Sequence, residues 1–382
     1  MTKLLIISNM SHYRNKQGQL VGWGPTVEEI NYLGTIFSEV NHIGCLHDED
    51  APPSALPYQT QNIRFIPVPP RGGPSLKDKM AILGQFPRYI KAMWQEIPQA
   101  DVIHVRCPAN ISLLAILLLS LKRWPSCRWV KYAGNWQPER PEALSYRWQR
   151  WWLRRGWQGG VVTVNGRWPQ QPSHIHAFYN PCLTQAEQEI ARQKALSKRL
   201  QLPLCLLFVG ALNRAKGVPQ VLQIAGELQK KKIPFTLHLL GDGPERPIFE
   251  EESRRIGLET AIIFHGWLPK NALADFYVQA HFLLLPSRTE GWPKVLSEAM
   301  AYGVVPLASH VSTIPPILAE IGAGRSYPAQ DVAAFTDSIC DYLQSPQQWK
   351  RESLAGIQAA PRFTYEAYVA AVRTLLATMA SE

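Results

Sequence analysis

The sequence lacks the long apolar segments and paired cysteines that would suggest a membrane-spanning chain or an oxidising compartment. Its longest apolar run, 111–121, contains two serines and is too short to cross a bilayer. The six cysteines are scattered singly, with no CxxC pair and no Cys/His cluster at zinc spacing. The N-terminal MTKLLIISN lacks the apolar stretch and cleavage site of a signal peptide. We therefore expect a cytoplasmic protein with free thiols.

Acidic residues are scarce in the first half of the chain. Residues 1–200 contain 24 Lys and Arg against 13 Asp and Glu, whereas residues 201–382 contain 16 against 17. An excess of positive charge confined to one half indicates an anionic partner for that half. No acidic pair follows a predicted strand where it would hold a divalent cation, since Asp48-Glu49-Asp50 precedes a Pro-rich loop. We therefore expect neither a metal nor any other cofactor.

Short apolar runs alternate with amphipathic stretches along the whole chain. This β-then-α order predicts parallel sheets covered by helices. Ten runs are predicted to be strands: 4–7, 63–66, 102–105, 129–132, 161–164, 204–209, 235–240, 261–264, 282–285 and 304–307. The first predicted strand ends near Ser8.

The runs fall into two series separated by Tyr179-Asn180-Pro181 and a charged helical stretch, 184–200. At 382 residues, two domains are the first expectation. We place an N-terminal domain at 1–180 and a C-terminal domain at 181–363. A final helix from about 364 to 382, with Thr364 as its N-cap, is expected to pack back on the first domain. Ligands of doubly wound domains bind at the carboxyl ends of the strands, so we expect a ligand held in a cleft between the two domains.

The loop after the strand 282–285 has the strongest pattern. Pro293 suits the first position of a helix that ends at Gly303. The backbone N–H groups of 291–295 would then lie at a helix N-terminus, which stabilises an anion such as a diphosphate. Glu290 would lie just outside this helix and Glu298 inside it. From these residues alone, an equally good interpretation is structural, with Glu290 as a capping residue and Glu298 as a carboxylate on the helix face.

A second loop, 210–217, follows the strand 204–209 and contains Arg214 and Lys216. Cations at the end of a strand can neutralise charge that develops on a departing diphosphate. The alternative for both side chains is a solvated surface position, and it is the weaker one for Lys216.

These segments resemble the retaining glycosyltransferases of family 4, whose two-domain architecture is called GT-B. The resemblance rests on EGWPKVLSEAMAYGVVPLAS, FVGALNRAKGV, LLGDGPERP and FHGWLPKNALADFYVQAHFLLLPS, and it is specific over 204–324. VGWGPTVEEI near the N-terminus is a more diffuse match. The resemblance implies two Rossmann-like domains facing a central cleft, and a nucleotide-sugar donor, UDP- or GDP-linked, that needs no metal.

The resemblance also implies roles for particular residues. Glu290 would hydrogen-bond the donor sugar, Glu298 would hold the nucleotide ribose, and Lys216 would contact the diphosphate. In a retaining reaction the leaving phosphate itself helps to deprotonate the acceptor hydroxyl. We count as catalytic Glu290, Lys216 and Arg214, and as donor-binding Glu298, Gly291, Trp292, Pro293, Lys294, Val295, Gly210, Asn213, Gly241, Gly22 and Gly24.

The sequence departs from the family pattern at two points. Ala211 stands where the family usually has Arg, and we expect Arg214 to supply that charge instead. The loop after the strand 129–132 has no His, so Asn135 is the nearest polar candidate for a donor or acceptor contact, with a turn role as its alternative. His104 and Arg106, at the end of the strand 102–105, are further candidates, and a structural His is an equal alternative.

Two other segments of the N-terminal half carry predictions. Gly22-Trp23-Gly24 would let the backbone approach a phosphate ahead of a helix at 27–37, although it is not a dinucleotide fingerprint and a loop without a ligand is the alternative. The segment 146–157 combines four Arg with four Trp. It would suit an anionic membrane surface or a packed helix, and a nucleic acid is not expected.

The predicted function is therefore transfer of a sugar to a hydroxyl of a glycan or lipid-linked acceptor, in cell-surface polysaccharide or glycolipid synthesis. The enzyme would be cytoplasmic or peripheral on the inner face of the plasma membrane. The alternatives are a nucleotide-sugar epimerase, a glycan phosphorylase and a non-catalytic sugar-nucleotide-binding protein at a membrane. A phosphorylase would need a lysine-bound pyridoxal phosphate, and an epimerase would lack the EGWP helix.

Overall fold

The computed structural model describes residues 2–70, 84–122, 124–138 and 142–381, and the chain divides into two compact units. Unit 1 comprises Met1–Phe178 and Tyr368–Glu382, and unit 2 comprises Tyr179–Ala367. The division falls two residues before the predicted boundary at 180. The C-terminal helix begins at Tyr365, where the Thr364 hydroxyl accepts a hydrogen bond from the backbone N–H of Ala367 (3.2 Å), which confirms Thr364 as a cap.

Unit 1 is an α/β unit. Its described strands are β1 (Lys3–Arg14), β2 (Leu20–Trp23), β3 (Glu39–Leu46), β4 (Ala55–Pro57), β5 (Ile63–Val68), β6 (Val102–Cys107), β7 (Cys127–Tyr132), β8 (Val161–Asn165) and β9 (Ile175–Phe178). Its described helices are α1 (Gly24–Gly34), α2 (Phe86–Glu96), α3 (Asn110–Leu121), α4 (Leu144–Arg155) and, from Tyr368 onward, the last helix.

The main sheet of unit 1 is parallel, in the order β5-β3-β1-β6-β7-β8-β9, and has helices on both faces. Successive side chains of a strand point to opposite faces. Accordingly, Leu5 and Ile7 of β1 pack in one core with α2, α3 and α4. Leu4 and Ile6 pack in a second core with α1 and the last helix. The strand order reverses between β1 and β6, and the segments that follow these two strands diverge there.

The first strand is longer than predicted. β1 continues to Arg14 rather than ending near Ser8, because its last three residues pair antiparallel with β2, with His12 opposite Gly22. Strand β3 was also missed, since its buried Asn41 and His42 interrupt the apolar pattern. Helix α1 begins at Gly24, three residues before the predicted start.

Unit 2 is a second α/β unit. Its described strands are β10 (Leu204–Val209), β11 (Phe235–Leu240), β12 (Ile262–Gly266), β13 (Phe282–Leu285), β14 (Val305–Ser309) and β15 (Arg325–Tyr327). Its described helices are α5 (Gln185–Leu196), α6 (Val218–Lys230), α7 (Arg246–Arg255), α8 (Lys270–Gln279), α9 (Lys294–Ala301), α10 (Ile314–Ile321), α11 (Val332–Gln344), α12 (Pro346–Ala359) and the start of α13 (Tyr365–Ser381), which continues into unit 1.

The sheet of unit 2 is entirely parallel, in the order β12-β11-β10-β13-β14-β15. Leu206 and Phe208 of β10 face a core shared with α6, α11 and α12, and Leu207 faces the other core, with α8 and α9. The strand order reverses between β10 and β13. In doubly wound sheets a ligand binds beyond the carboxyl ends of the strands at such a reversal. The two reversals therefore mark where each unit is expected to bind its ligand.

Among the described residues, no helix is both long and apolar enough to cross a membrane.

Candidate functional site

The two loops predicted to carry chemistry meet at the strand reversal of unit 2. One follows β10 and the other follows β13, and these strands are direct parallel neighbours. The backbone N–H of Arg288 donates to the carbonyl of Ala215 (2.9 Å), which ties the loops together. Gly217 lies between them with φ +83°, and a Cβ there would lie 2.1 Å from the carbonyl oxygen of Pro286. Only glycine permits this approach.

Lys216 and Glu290 form the centre of this site. The Lys216 Nζ lies 2.7 Å from the Glu290 Oε1, and the two side chains are 36% and 9% exposed. The Asn213 Oδ1 accepts the backbone N–H of Lys216 (2.9 Å), which caps the short 3-10 helix Arg214–Lys216. The structure thus brings together a nearly buried carboxylate and a partly exposed ammonium at the edge where a ligand is expected.

Arg214 lies on the same loop but points elsewhere. Its side chain is 60% exposed, and its Nε lies 3.9 Å from the Glu245 Oε2. That carboxylate also accepts the backbone N–H of Arg214 (2.9 Å). The Arg214 side chain is thus directed to Glu245, and its role as a replacement for the family Arg at Ala211 stays a prediction.

Helix α9 begins one residue later than predicted. Pro293 is its N-cap, the helix runs from Lys294 to Ala301, and Gly303 lies beyond its end. The cause is the extended backbone of Pro293, whose ψ of 124° is not helical. The segment before it still leads directly into a helix N-terminus, the position that favours an anion.

The side chain of Trp292 belongs to the core. It is 4% exposed, its Nε1 donates to the Ser297 hydroxyl (2.8 Å), and it stacks on Phe363 with ring centroids 5.6 Å apart. The carbonyl of Gly291 accepts a hydrogen bond from the Thr313 hydroxyl (3.3 Å). These contacts hold the backbone of 291–293 in place and leave Trp292 only its backbone for a ligand.

Glu298 lies partly exposed on α9, and its Oε2 accepts a hydrogen bond from the Tyr277 hydroxyl (2.8 Å). Burial raises the pKa of Glu298, against the opposing effects of this hydrogen bond and of the charges of Lys270 and Lys294. The Lys294 Nζ lies 5.8 Å from the ring centroid of Tyr365. Neither Tyr277 nor Tyr365 was singled out from the sequence. Tyr277 lies 21 residues before Glu298 and Tyr365 lies on another helix than Lys294, so no local motif marks either contact.

Gly210 and Gly241 serve a close approach of two strand ends. A Cβ on Gly241 would lie 2.0 Å from the carbonyl oxygen of Gly210, and Gly241 has φ +132°. The N–H of Gly210 donates to Leu240 (2.9 Å) and that of Gly241 to Gly266 (2.8 Å). Donor binding by these glycines stays a prediction, and their N–H groups already have backbone partners. Val295 lies in the first turn of α9, and its role stays a prediction too.

In unit 1, Gly22 and Gly24 do not form the predicted turn. Gly22 lies within β2, and Gly24 is the first residue of α1, with its N–H bonded to the carbonyl of Ser54 (3.1 Å). A Cβ on Gly22 would lie 2.8 Å from the His12 ring, and one on Gly24 would lie 2.5 Å from the Ser54 oxygen. Close packing against neighbouring segments accounts for both glycines, and the predicted turn is not formed, while a role of Gly22 and Gly24 in donor binding stays a prediction.

A pocket of about 410 Å³ lies at the strand reversal of unit 1. Its lining comes from the far half of β1, from the start of α1 and from the end of β6, and includes Ser8, Tyr13, Trp23, Thr26, Arg106 and Pro108. We call it the unit 1 pocket.

Arg106 is held at this pocket by a buried carboxylate. Its two terminal nitrogens lie 2.7 and 3.4 Å from the oxygens of Glu29, which is 2% exposed. Glu29 also accepts from the Lys131 ammonium (2.8 Å) and the Tyr368 hydroxyl (2.8 Å). One carboxylate between two cations leaves net positive charge beside the pocket, so Arg106 remains a good candidate for contacting an acceptor oxygen.

His104 does not reach this pocket. It is fully buried, stacks on Trp129 with centroids 3.7 Å apart, and its Nδ1 lies 3.3 Å from the Trp129 carbonyl. The physical reason is its position along β6: His104 shares a face with Arg106 but lies two residues, about 7 Å, farther from the carboxyl end of the strand, where the pocket lies. This placement favours the structural alternative for His104. Asn135 uses its Oδ1 to accept the backbone N–H of Gln137 (3.1 Å), which favours its turn role.

The segment 146–157 forms most of α4 and the turn after it. Trp151 and Trp157 are 44% and 45% exposed. Trp152 packs partly against the core and donates from its Nε1 to the Ser120 hydroxyl (3.0 Å). The helix is therefore packed on one side and carries exposed aromatic side chains on the other, and its contact with a membrane stays a prediction.

Within the described residues, no three His, Cys, Asp or Glu side chains come close enough together to hold a metal ion.

Comparison with known proteins agrees with this geometry. Residues 191–358 match the family model described as Glycosyl transferases group 1. The chain is 29% identical over 166 residues to a D-inositol 3-phosphate glycosyltransferase of Corynebacterium urealyticum, covering 42% of this chain and 39% of that protein. It is 26% identical over 157 residues to the lipopolysaccharide 1,6-galactosyltransferase of Salmonella typhimurium, covering 40% and 44%. The chain thus spans about two fifths of the length of these relatives.

A solved structure extends the likeness to the whole chain. HepE of Anabaena, crystallised with UDP and glucose, superposes with a TM-score of 0.67 at 14% identity, covering 99% of this chain and 100% of that one. At this identity the likeness shows the fold alone. The fold is GT-B, with two Rossmann-like units, as the sequence predicted.

Proposed function

We propose that this chain, whose residues 191–358 belong to the glycosyl transferases group 1 family, is a retaining glycosyltransferase of family 4. It would move a sugar from a nucleotide-diphosphate sugar to a hydroxyl of a glycan or lipid-linked acceptor. The lipopolysaccharide galactosyltransferase among its relatives favours synthesis of a cell-surface polysaccharide or glycolipid. The pairing of Lys216 with Glu290 at the strand reversal of unit 2 is the observation that carries the proposal.

The pair suits donor binding because each member has one role. A carboxylate can accept hydrogen bonds from two vicinal sugar hydroxyls and so orient the sugar. An ammonium can neutralise the charge that develops on the departing diphosphate. Without a donor the two charges satisfy each other at 2.7 Å. When a donor binds, Lys216 would pair with its diphosphate and Glu290 would accept hydrogen bonds from its sugar.

Glu298 would hold the nucleotide ribose. Tyr277 occupies its Oε2 and thereby orients the carboxylate, so the other oxygen can accept from ribose hydroxyls. Removing the Tyr277 hydroxyl would leave Glu298 rotationally freer and weaken nucleotide binding rather than chemistry.

No metal is needed in this scheme, since Lys216 and the N-terminus of α9 provide the positive charge for the diphosphate. In a retaining reaction, the leaving phosphate oxygen takes the proton of the acceptor hydroxyl. The C1–O bond to the phosphate breaks as the bond from C1 to the acceptor oxygen forms on the same face of the sugar. A separate strong base is therefore unnecessary.

A donor screen tests the proposal. UDP-, GDP- and ADP-sugars are added to the purified protein, and unfolding is followed by heat. A micromolar ligand in hundredfold excess stabilises the fold by about 3 kcal/mol, so one nucleotide class should raise the Tm by several degrees. UDP-sugars come first, because HepE was crystallised with UDP. Release of the nucleotide from the stabilising donor then separates an enzyme from a non-catalytic binder, which would release none. Stabilisation by no class contradicts the proposal.

An epimerase and a glycan phosphorylase are less well supported. Neither accounts for the match of 191–358 to a glycosyl transferase model, nor for the Glu290–Lys216 pair. An epimerase would return a sugar nucleotide with the nucleotide still attached, so the release assay also separates it from a transferase.

We further propose that unit 1 contacts an anionic membrane, on the cytoplasmic face, through an aromatic patch. The patch comprises exposed apolar side chains at the C-terminal ends of α2, α3 and α4: Trp94 (59%), Leu121 (85%), Trp124 (59%), Trp151 (44%) and Trp157 (45%). These helices run antiparallel to the strands they connect. Their C-terminal ends therefore lie at the edge of the sheet opposite the unit 1 pocket.

Basic side chains accompany the aromatic patch. The Lys122 Nζ lies 3.8 Å from the Trp94 ring centroid, and the Arg155 guanidinium lies 5.9 Å from that of Trp151. Trp at headgroup depth with Lys and Arg on anionic lipid is the composition of an interfacial surface. The excess positive charge of residues 1–200 supports the same partner. A lipid-linked acceptor would be reached from this position.

A further inference from the structure

A chain of four hydrogen bonds runs from the unit 1 pocket into the core of unit 1. The Ser8 Oγ lies 2.8 Å from the His42 Nε2, and the His42 Nδ1 lies 2.7 Å from the Tyr58 hydroxyl. The Tyr58 hydroxyl lies 2.8 Å from the His12 Nε2, and the His12 Nδ1 lies 3.1 Å from the Met10 carbonyl. Neither imidazole is accessible to solvent. We call this arrangement the Ser8 chain.

The Ser8 chain can point in only one direction. The Met10 carbonyl is solely an acceptor, so the His12 Nδ1 carries the proton and its Nε2 accepts from Tyr58. Having given its proton to His12, Tyr58 must accept from the Nδ1 of His42. The His42 Nε2 is then an acceptor and takes the proton of Ser8. Each member determines the orientation of the next.

This direction requires both imidazoles to be neutral, and their surroundings keep them so. Burial lowers the pKa of His12 to about 4, and burial lowers the pKa of His42 well below its ordinary value. The positive charge of Arg106 also lowers the pKa of His42, because it opposes a further positive charge there.

Residues of β2, β3 and β5 pack closely around the His12 ring. A Cβ on Gly22 of β2 would lie 2.6 Å from the Met10 Cε and 2.8 Å from the His12 ring, and a Cβ on Gly44 of β3 would lie 2.9 Å from that ring. Phe65 covers the same ring with centroids 4.1 Å apart. Glycine therefore stands on both strands that flank the C-terminal end of β1, at positions where a larger residue would displace the imidazole. The surrounding strands therefore leave the space that the His12 ring needs.

At the pocket end, most of the hydrogen-bonding capacity of the Ser8 hydroxyl is already used. Its proton goes to His42, and it accepts the backbone N–H of Met10 (3.2 Å). Ser8 is 2% exposed and lines the unit 1 pocket, so one lone pair of its oxygen remains for a hydroxyl that reaches it there. A hydroxyl can donate to that lone pair. A ketone, a carboxylate or a phosphate oxygen would meet it with repulsion, because none of them has a proton to donate.

The rest of the pocket complements this acceptor. Arg106 supplies donors, and the exposed ring of Trp23 supplies an aromatic surface, on which the C–H face of a sugar can lie. An acceptor atom, a donor group and an aromatic plane together fit a ring that carries several hydroxyls.

We propose that Ser8 is a specificity-determining residue for a polyhydroxylated acceptor ring in the unit 1 pocket, with its hydroxyl locked as a hydrogen-bond acceptor by His42, Tyr58 and His12. The inference rests on the proposed glycosyl transfer and names the chemistry by which that reaction selects its acceptor. Tyr58 and the two histidines are positioning residues, since they act through Ser8.

The direction of the chain is tested without any activity. Nitrogen-15 NMR of the histidine-labelled protein at pH 7 reports which ring nitrogen carries the proton, and the signals are assigned with the variants His12→Gln and His42→Gln. We expect Nδ1–H at both His12 and His42. An Nε2–H form at either residue would overturn the proposal. Titration with methyl α-glucoside, methyl α-galactoside and methyl α-mannoside should shift the His42 Nε2 signal with at least one sugar, and not in Ser8→Ala. A signal that none of the three shifts also overturns it.

Kinetics test the effect on specificity. With the donor found above and p-nitrophenyl glycosides as acceptors, Ser8→Ala and Tyr58→Phe should each raise the acceptor KM about three- to tenfold, the size of one lost hydrogen bond, with the donor KM unchanged. Tyr89→Phe is the matched control, because it removes another tyrosyl hydroxyl of unit 1, bonded to the Pro69 carbonyl (2.8 Å). It should leave the acceptor KM unchanged.

The two levels of the proposal fail differently. If the wild-type protein releases no nucleotide and transfers no sugar, the proposed function is wrong. If the wild type transfers sugar and Ser8→Ala has a normal acceptor KM, the function stands and the role of Ser8 is wrong. An equal rise in Tyr89→Phe would assign the effect to general destabilisation and also refute that role.

Discussion

Replacement of Lys216 by Ala tests the centre of the donor site. The Lys216 ammonium lies 2.7 Å from Glu290, on the loop after β10 and beside the N-terminus of α9. If it neutralises the departing diphosphate, its loss removes one preorganised charge from the transition state. Such a contact contributes about 3–4 kcal/mol, so kcat should fall about 10²–10³-fold.

The same substitution should cost little stability. The Lys216 side chain is 36% exposed, and ion pairs at this exposure contribute at most about 1 kcal/mol. Glu290 is only 9% exposed, and it lies on the loop that leads into the N-terminus of α9, an end of a helix that favours negative charge. A variant that has lost activity with a nearly unchanged Tm would therefore separate a role in catalysis from a role in folding.

The assay is release of nucleotide and transfer of sugar, measured at saturating donor. Arg214→Ala is the matched control, since it removes a cation from the same loop that is 60% exposed and lies 3.9 Å from Glu245. If Arg214 supplies the charge that the family has at the position of Ala211, its loss should also lower kcat, by less than the loss of Lys216. Near-normal turnover in Lys216→Ala would refute the reasoning for this site.

Four further results are expected. Glu298→Gln should raise the donor KM about tenfold with little change in kcat, because it weakens ribose binding in ground and transition states alike; an unchanged KM would remove Glu298 from the ribose site. Activity should survive EDTA, and full loss restored by manganese would contradict the metal-free scheme. Replacing Trp151 and Trp157 by Ala should weaken salt-sensitive flotation with anionic liposomes, while Trp267→Ala, 40% exposed in unit 2, should not. The free energy of unfolding should fall as the pH drops from 6.5 to about 4, by about 1.4 kcal/mol per pH unit for His12. The reason is that burial lowers the folded-state pKa of His12 to about 4, so only the unfolded chain takes the proton in that window. Chemical denaturation measures this slope, and His12→Gln should flatten it.

Local sequence patterns were sufficient to predict much of unit 2. The strand 282–285 and the helix that holds Glu298 both follow from apolar runs, a proline at the helix start and a glycine after its end, and each is confirmed within one or two residues. Parallel order follows from the alternation of strands and helices. Unit 1 was harder to predict, because β2 and β3 carry glycine, asparagine and histidine where a typical buried strand would carry valine or isoleucine.

Those polar residues show why the pattern was insufficient. His12, His42 and Tyr58 look like interruptions of an apolar run when each strand is considered alone. They become a network only when β1 and β3 are in register and the segment after β4 places Tyr58 against both histidines, because each buried polar atom then finds its partner on another segment of the chain. Gly22 was given a ligand role for the same reason, since the His12 ring that it accommodates lies on another strand.

The sequence by itself determined the segments of the donor site, their order and the chemistry that their side chains can perform. Only the tertiary structure decided which of them meet. Lys216 and Glu290 are 74 residues apart, and Glu29 and Tyr368 are 339 apart. Such contacts depend on strand order and register, which are determined by the packing of the whole sheet. Periodicity within a window of a few residues reports which face a side chain occupies, but not what lies across from it.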